Sequence, residues 1–136
     1  MDNDTVPIEH ETRERVVRAA IVGIPLLALL DRWVAYHRRR VLPGGCFVTT
    51  ATIEFDARPG RLRDAVAGAR RRMHAVLEAD IRAAVEAGNL PADTSPADVA
   101  FALYAIASAA SQAIQLEEPG ASARARRCMR ALLGVA

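Results

Sequence analysis

The spacing of apolar side chains along this sequence predicts helices rather than strands. No segment alternates polar and apolar residues, whereas apolar residues recur at intervals of three and four between clusters of Gly and Pro. We therefore expect an all-α domain, an orthogonal or antiparallel bundle of six helices. The predicted helices cover about Glu9–Val22, Pro25–Arg39, Cys46–Asp56, Arg61–Ala87, Pro96–Leu116 and Ala121–Leu133.

The helix that begins near Pro96 has the most informative pattern. Ser95-Pro96-Ala97-Asp98 places a capping Ser, a first-turn Pro and an acidic residue in the order that favours a helix start. From Val99 to Leu116 every side of the helix is apolar or small, so no face is suited to water. Two arrangements would cover it: one face on the domain core and the other on a second copy of the chain, or a central position in a monomer.

The first arrangement predicts a homodimer in which two helices approach closely. Small side chains permit such an approach, and the expected seam contains Ala105, Ser108, Ala109 and Gln112.

Composition and charge favour a single soluble domain without a nucleic-acid surface of its own. The 136 residues are 51% hydrophobic and 25% charged, and the net charge is only +2. The Arg-rich runs at 38–40, 70–72 and 124–130 lack interleaved aromatic residues, so we interpret them as solvated faces.

The sequence predicts neither a signal peptide nor a membrane-spanning helix. The first residues are acidic, unlike a signal peptide. The uncharged stretch from Val99 to Leu116 is rich in Ala and includes Ser and Gln, which is unusual for a membrane span. We expect a cytoplasmic protein with no membrane partner.

Catalytic, metal and cofactor sites are not expected. The three His residues are far apart in sequence, and two Cys cannot form a four-ligand zinc site. Cys46 alone is a candidate reactive thiol, because it precedes a helix whose dipole favours a thiolate. The alternative is that Cys46 is a small buried apolar residue.

A small-molecule cavity between helices is the remaining candidate site. Bulky apolar groups and a few hydrogen-bonding groups come from four predicted helices, a mixture that suits a ligand pocket in a bundle and also an ordinary core. The candidate ligand-binding residues are Trp33, His37, Phe47, Thr50, Met73, Phe101 and Tyr104.

One stretch resembles a known family. The segment VLPGGCFVTTATIEFDARPGRLRDAV is similar to the C-terminal regulatory domain of TetR/AcrR-type transcriptional regulators, in particular those with Pro-Gly-Gly-Cys-Phe before a short helix. The similarity covers about Asp31 to Leu133. The segments that carry it are Leu29–Trp33, Val41–Val66, Glu86–Pro91, Ala100–Tyr104 and Ala123–Leu133.

This resemblance implies a homodimer held by a four-helix bundle of the last two helices of each copy. Leu116, Met129 and Leu132 then join the expected interface. It also implies a pocket for a largely apolar small-molecule effector. Binding of this effector would control the spacing of the two DNA-binding domains, and the resemblance does not identify the effector.

Compared with the family, we expect this chain to lack the N-terminal DNA-binding helix-turn-helix domain. We expect residues 1–22 to be an acidic segment and a remnant of the connecting helix, and residues 23–136 to be the regulatory domain. DNA would be bound only through the missing domain. Two alternatives remain: a headless partner that pairs with a full-length regulator without a ligand, and a redox sensor based on Cys46.

Overall fold

The structure, a computed structural model, describes residues 26–39 and 45–135. These residues form five α-helices and, within those ranges, no strand. The all-α prediction is confirmed. Of the six predicted helices, the first in the chain, at 9–22, lies outside the described residues. The described helices are α1 (residues 26–38), α2 (Phe47–Phe55), α3 (Arg61–Glu86), α4 (Pro96–Gln115) and α5 (Ala121–Leu132).

Helix α4 lies at the centre of the packing. It contacts both α3 and α5 extensively, and α2 packs on α3. Leu103 on α4 is fully buried among apolar side chains from α1, α3 and α5. The largest side chains excluded from solvent are Val34, Leu77, Ile81, Leu103 and Met129.

The turn between α3 and α4 is defined by local chemistry. Gly88 has a φ of +76°, a left-handed conformation that favours Gly, and the Asn89 amide donates to the Ala84 carbonyl at 2.8 Å. Helix α4 then begins as predicted, because the Ser95 hydroxyl accepts from the Asp98 amide at 3.4 Å and Pro96 occupies the first turn. This turn brings α4 onto α3.

An ion pair joins the first and last described helices. Arg126 Nε on α5 lies 3.0 Å from Asp31 Oδ1 on α1, and both side chains are partly exposed. A pair of this kind contributes about 1 kcal/mol at most. The helix that carries Trp33 is held against the bundle mainly by its buried apolar side chains, such as Leu30 and Val34.

Candidate ligand site and dimer interface

Tyr104 is the centre of a cluster of rings contributed by α1, α3 and α4. Its ring centroid lies 5.9 Å from that of Trp33 and 4.8 Å from that of His74. His37 lies beside Trp33 at 6.3 Å, and Phe101 lies beside His74 at 6.4 Å. These contacts make one continuous aromatic cluster, here called the ring cluster: Trp33, His37, His74, Phe101 and Tyr104.

The ring cluster unites four of the residues predicted to bind a ligand. Trp33, His37, Phe101 and Tyr104 belong to it, and Met73 packs against the neighbouring core. Phe101 stands at its outer edge, 65% exposed. Within the described residues, this is where the predicted ligand residues converge.

Phe47 and Thr50 are predicted ligand residues that do not join the ring cluster. Phe47 is 67% exposed on the outer side of α2. Thr50 lines a separate shallow groove between α2 and the end of α4. The sequence prediction grouped them with the cluster because it had no means of orienting the short helix α2.

His37 is a buried polar residue. Its side chain is 3% exposed, and neither ring nitrogen has a hydrogen-bond partner among residues 26–39 and 45–135. Burial lowers the pKa of His37, because desolvation disfavours the imidazolium form. A neutral imidazole with one donor and one acceptor nitrogen is therefore held next to Trp33.

Two residues of this region were not singled out from the sequence. The Arg70 guanidinium lies over the Tyr104 ring, 4.6 Å from its centroid, and His74 stacks near the same ring. Both come from α3, four residues apart, so they share one face of that helix. The four-residue spacing could have indicated this shared face, but the run of Arg residues at 70–72 is interpreted from the sequence as a face exposed to solvent.

Arg70 also borders two adjoining cavities on the surface of α3. A cavity of about 420 Å³ is lined by Ala67, Arg70, Arg71, His74, Ala75 and Glu78. A smaller one of about 140 Å³ extends towards α2 and is lined by Thr52, Phe55, Asp56, Arg63, Val66, Ala67 and Arg70. All six residues that line the larger cavity belong to α3, so among the described residues it is an open depression on the surface of that helix.

The outward face of α4 carries a row of small and apolar side chains that no described residue covers. Ala105, Ala109, Gln112 and Leu116 are exposed along this row, Leu116 by 75%, while the opposite face holds the core. A groove of about 390 Å³ runs beside the row, between α4 and α5. We call the row together with Leu132 of α5 the α4 seam.

The predicted interface residues divide into two groups. Leu132 is partly exposed on α5 and Ser108 is half-buried beside the row, so both remain predictions with the rest of the seam. Met129 is a correction. Its side chain is 1% exposed on the core face of α5, packed inside the chain and therefore not open to a second copy.

The thiols and possible metal ligands are dispersed. Cys46 precedes α2 as a half-buried residue, and Cys128 is exposed on α5. In the part of the chain that the structure describes, no three His, Cys, Asp or Glu side chains gather as metal ligands.

One described helix, Pro96–Gln115, is long and apolar enough to cross a membrane by length and composition. Its contacts with α3 and α5 are those of a helix in a globular bundle, which passes the same test.

Comparison with known protein families gives a match that covers most of the chain. Residues 25–129 match the family described as the tetracyclin repressor-like C-terminal domain. This range includes the ring cluster and the part of α4 that forms the seam. No curated protein matches the chain.

Proposed function

The chain belongs to the tetracyclin repressor-like C-terminal domain family, and on this basis we propose that it senses a small, largely apolar molecule and forms a homodimer within a TetR-type regulator. Domains of this family have regulatory rather than enzymatic roles, and the regulators are soluble cytoplasmic proteins. The proposed regulatory domain covers residues 23–136. The family match over 25–129 supports this division.

The α4 seam is the observation that carries the dimer proposal. An exposed row of Ala105, Ala109 and Leu116 leaves apolar surface in water, and burial of such surface stabilises an assembly by roughly 25 cal/mol per Å². Small side chains in the row allow a second α4 to approach closely. A two-fold arrangement would let the same row cover itself.

The ring cluster supports the ligand proposal. It combines apolar ring surface from Trp33 and Phe101 with the imidazole of His37, which no described residue pairs by a hydrogen bond, and it joins α1, α3 and α4. A ligand that binds among these helices would affect their relative positions. Regulation follows if the ligand binds one arrangement of the helices more tightly than another.

The dimer proposal is tested by placing a charge in the α4 seam. In Ala109→Arg, an unpaired guanidinium would enter the packed interface, and we expect sedimentation equilibrium to give the mass of a monomer. Ala83→Arg is the matched control, since it adds the same group at an exposed position of α3 outside the seam. A folded Ala109→Arg protein that remains as dimeric as Ala83→Arg would disprove the seam.

The ligand proposal is tested with the neutral apolar dye phenylnaphthylamine, whose fluorescence rises in apolar sites. We expect saturable binding to the wild-type chain and weaker binding to Trp33→Ala, because the substitution removes ring surface from the cluster. Phe47→Ala is the control, an aromatic side chain outside the cluster. Equal dye affinity in both variants would remove Trp33 from the site.

The same dye titration distinguishes ligand sensing from the main alternative, a dimerisation partner that binds no ligand. A headless partner without a ligand would show the dimer mass but no saturable dye binding. Ligand sensing predicts both.

A further inference from the structure

Arg70 and Arg71 point to the charge of the effector. We propose that the ligand is an amphipathic anion, whose acidic group contacts these two guanidinium groups and whose apolar part lies against the outer rings of the cluster, His74 and Phe101. This inference rests on the proposed ligand-sensing function and specifies the class of ligand.

The first step of the argument is that Arg70 has hydrogen-bonding capacity to spare. Its contact with Tyr104 uses the positive charge of the guanidinium against the ring face, not its N–H donors. Among the described residues, neither Arg70 nor Arg71 forms an ion pair with a carboxylate. Both residues line the same depression on α3, and their guanidinium groups offer donors that match an oxyanion.

The second step is that both residues border one open depression on the surface of α3. Arg70 and Arg71 line the cavity of about 420 Å³ on α3, and Arg70 also borders the smaller cavity towards α2. Each lining also includes an acidic residue: Glu78, eight residues after Arg70 on α3, and Asp56 at the end of α2. Within the described residues neither carboxylate forms an ion pair with Arg70.

The third step is that apolar surface adjoins the cations. His74 lines the same cavity as Arg70, and the exposed Phe101 ring lies 6.4 Å from that of His74. A molecule with an acidic group at Arg70 and an aromatic or aliphatic body would cover Phe101. A cation would be repelled from this position, and a neutral molecule would leave the guanidinium donors without a ligand partner.

The experiment compares two dyes that differ in charge. Anilinonaphthalene sulfonate carries an aromatic body and an anionic group, whereas phenylnaphthylamine has a closely similar body without the anion. We expect the wild-type chain to bind the sulfonate more tightly. Arg70→Gln should weaken sulfonate binding about tenfold, as expected for loss of a charge-assisted hydrogen bond, and leave phenylnaphthylamine affinity nearly unchanged.

Arg82→Gln is the matched control, because Arg82 is exposed on the same helix outside both cavities. Circular dichroism checks that both variants keep their helices. The proposal is overturned if Arg70→Gln and Arg82→Gln bind the sulfonate equally, or if Arg70→Gln weakens both dyes to the same extent.

The two dyes also separate this inference from the proposed function. If phenylnaphthylamine binds the wild-type chain and the sulfonate shows no preference, the effector site stands and the anion proposal fails. If neither dye binds, ligand sensing fails as well.

Discussion

His37 shows what burial does to a single polar side chain. It is an imidazole that lies between the rings of Trp33 and Tyr36, and neither nitrogen has a hydrogen-bond partner among the described residues. A buried polar group without a hydrogen bond destabilises the fold by about 1–3 kcal/mol. An apolar residue of similar size would avoid this penalty in the free protein. A ligand that forms a hydrogen bond with His37 would remove the penalty on binding.

The lowered pKa of His37 makes stability depend on pH. In the unfolded chain the imidazole binds a proton near pH 6.5, whereas burial delays protonation in the folded chain to lower pH. Below pH 6.5 the unfolded state therefore binds more protons, and the free energy of unfolding decreases as the pH falls, by at most about 1.4 kcal/mol per pH unit. Urea unfolding between pH 7.5 and pH 5, values chosen to span this range, measures the slope.

His37→Leu is the variant that isolates this effect. It removes the titrating group and fills the same apolar site, so it should be as stable as the wild type or more stable near neutral pH, with a smaller loss of stability in acid. His10 and His74 are present in both proteins and cancel in the comparison. Identical pH profiles would show that His37 is not the group responsible.

Residue identity was easier to predict than residue orientation. Trp33, His37 and Tyr104 stand out in the sequence as large or polar groups on apolar helices, and the structure brings them together. Arg70 was missed because a run of three Arg residues is typical of a solvated face. Only Arg70 of the described run lies over the Tyr104 ring, and this contact depends on the position of α4, which is distant in sequence.

The start of α4 is the element whose local chemistry is most testable. Ser95→Ala removes the hydroxyl that accepts from the Asp98 amide, and we expect a loss of about 1 kcal/mol in the free energy of unfolding. Ser95→Asp keeps an acceptor at the cap and should retain most of the stability. Thermal or urea unfolding at neutral pH compares the three proteins, and a cap without influence would give equal midpoints.

The roles proposed for the two faces of α5 can be distinguished by shortening one side chain on each face. Met129→Ala opens a cavity in the core and should decrease the free energy of unfolding by about 2–5 kcal/mol. Leu132→Ala removes a partly exposed side chain and should weaken dimerisation with a smaller effect on folding. Unfolding curves together with the dissociation constant of the dimer measure both effects, and the reverse pattern would place Met129 at the interface.

Helix positions could be predicted from the sequence because capping residues and apolar spacing are local signals. It was harder to predict which face of each helix is buried. Helix α4 is apolar or small on every side, so only its contacts with α3 and α5 decide which side remains exposed. On α5, the four-residue spacing of Ala121, Ala125 and Met129 was a readable sign of a buried face, and it places Met129 in the core.

At the scale of the whole molecule, the proposed interface and the proposed ligand site share one helix, α4. Tyr104 and Ala105 are adjacent on α4, yet one is buried in the ring cluster and the other is exposed on the seam. A displacement of α4 by a ligand would therefore reach the interface directly. This provides a physical route from effector to dimer geometry, with α4 as the shared element.

Self-association through the α4 seam is the central claim, and light scattering coupled to size exclusion at two protein concentrations tests it most directly. We predict a mass about twice that of the 14.7 kDa chain at both concentrations. A mass equal to that of one chain at both concentrations would contradict the claim, since the exposed row from Ala105 to Leu116 would then face water in the stable protein.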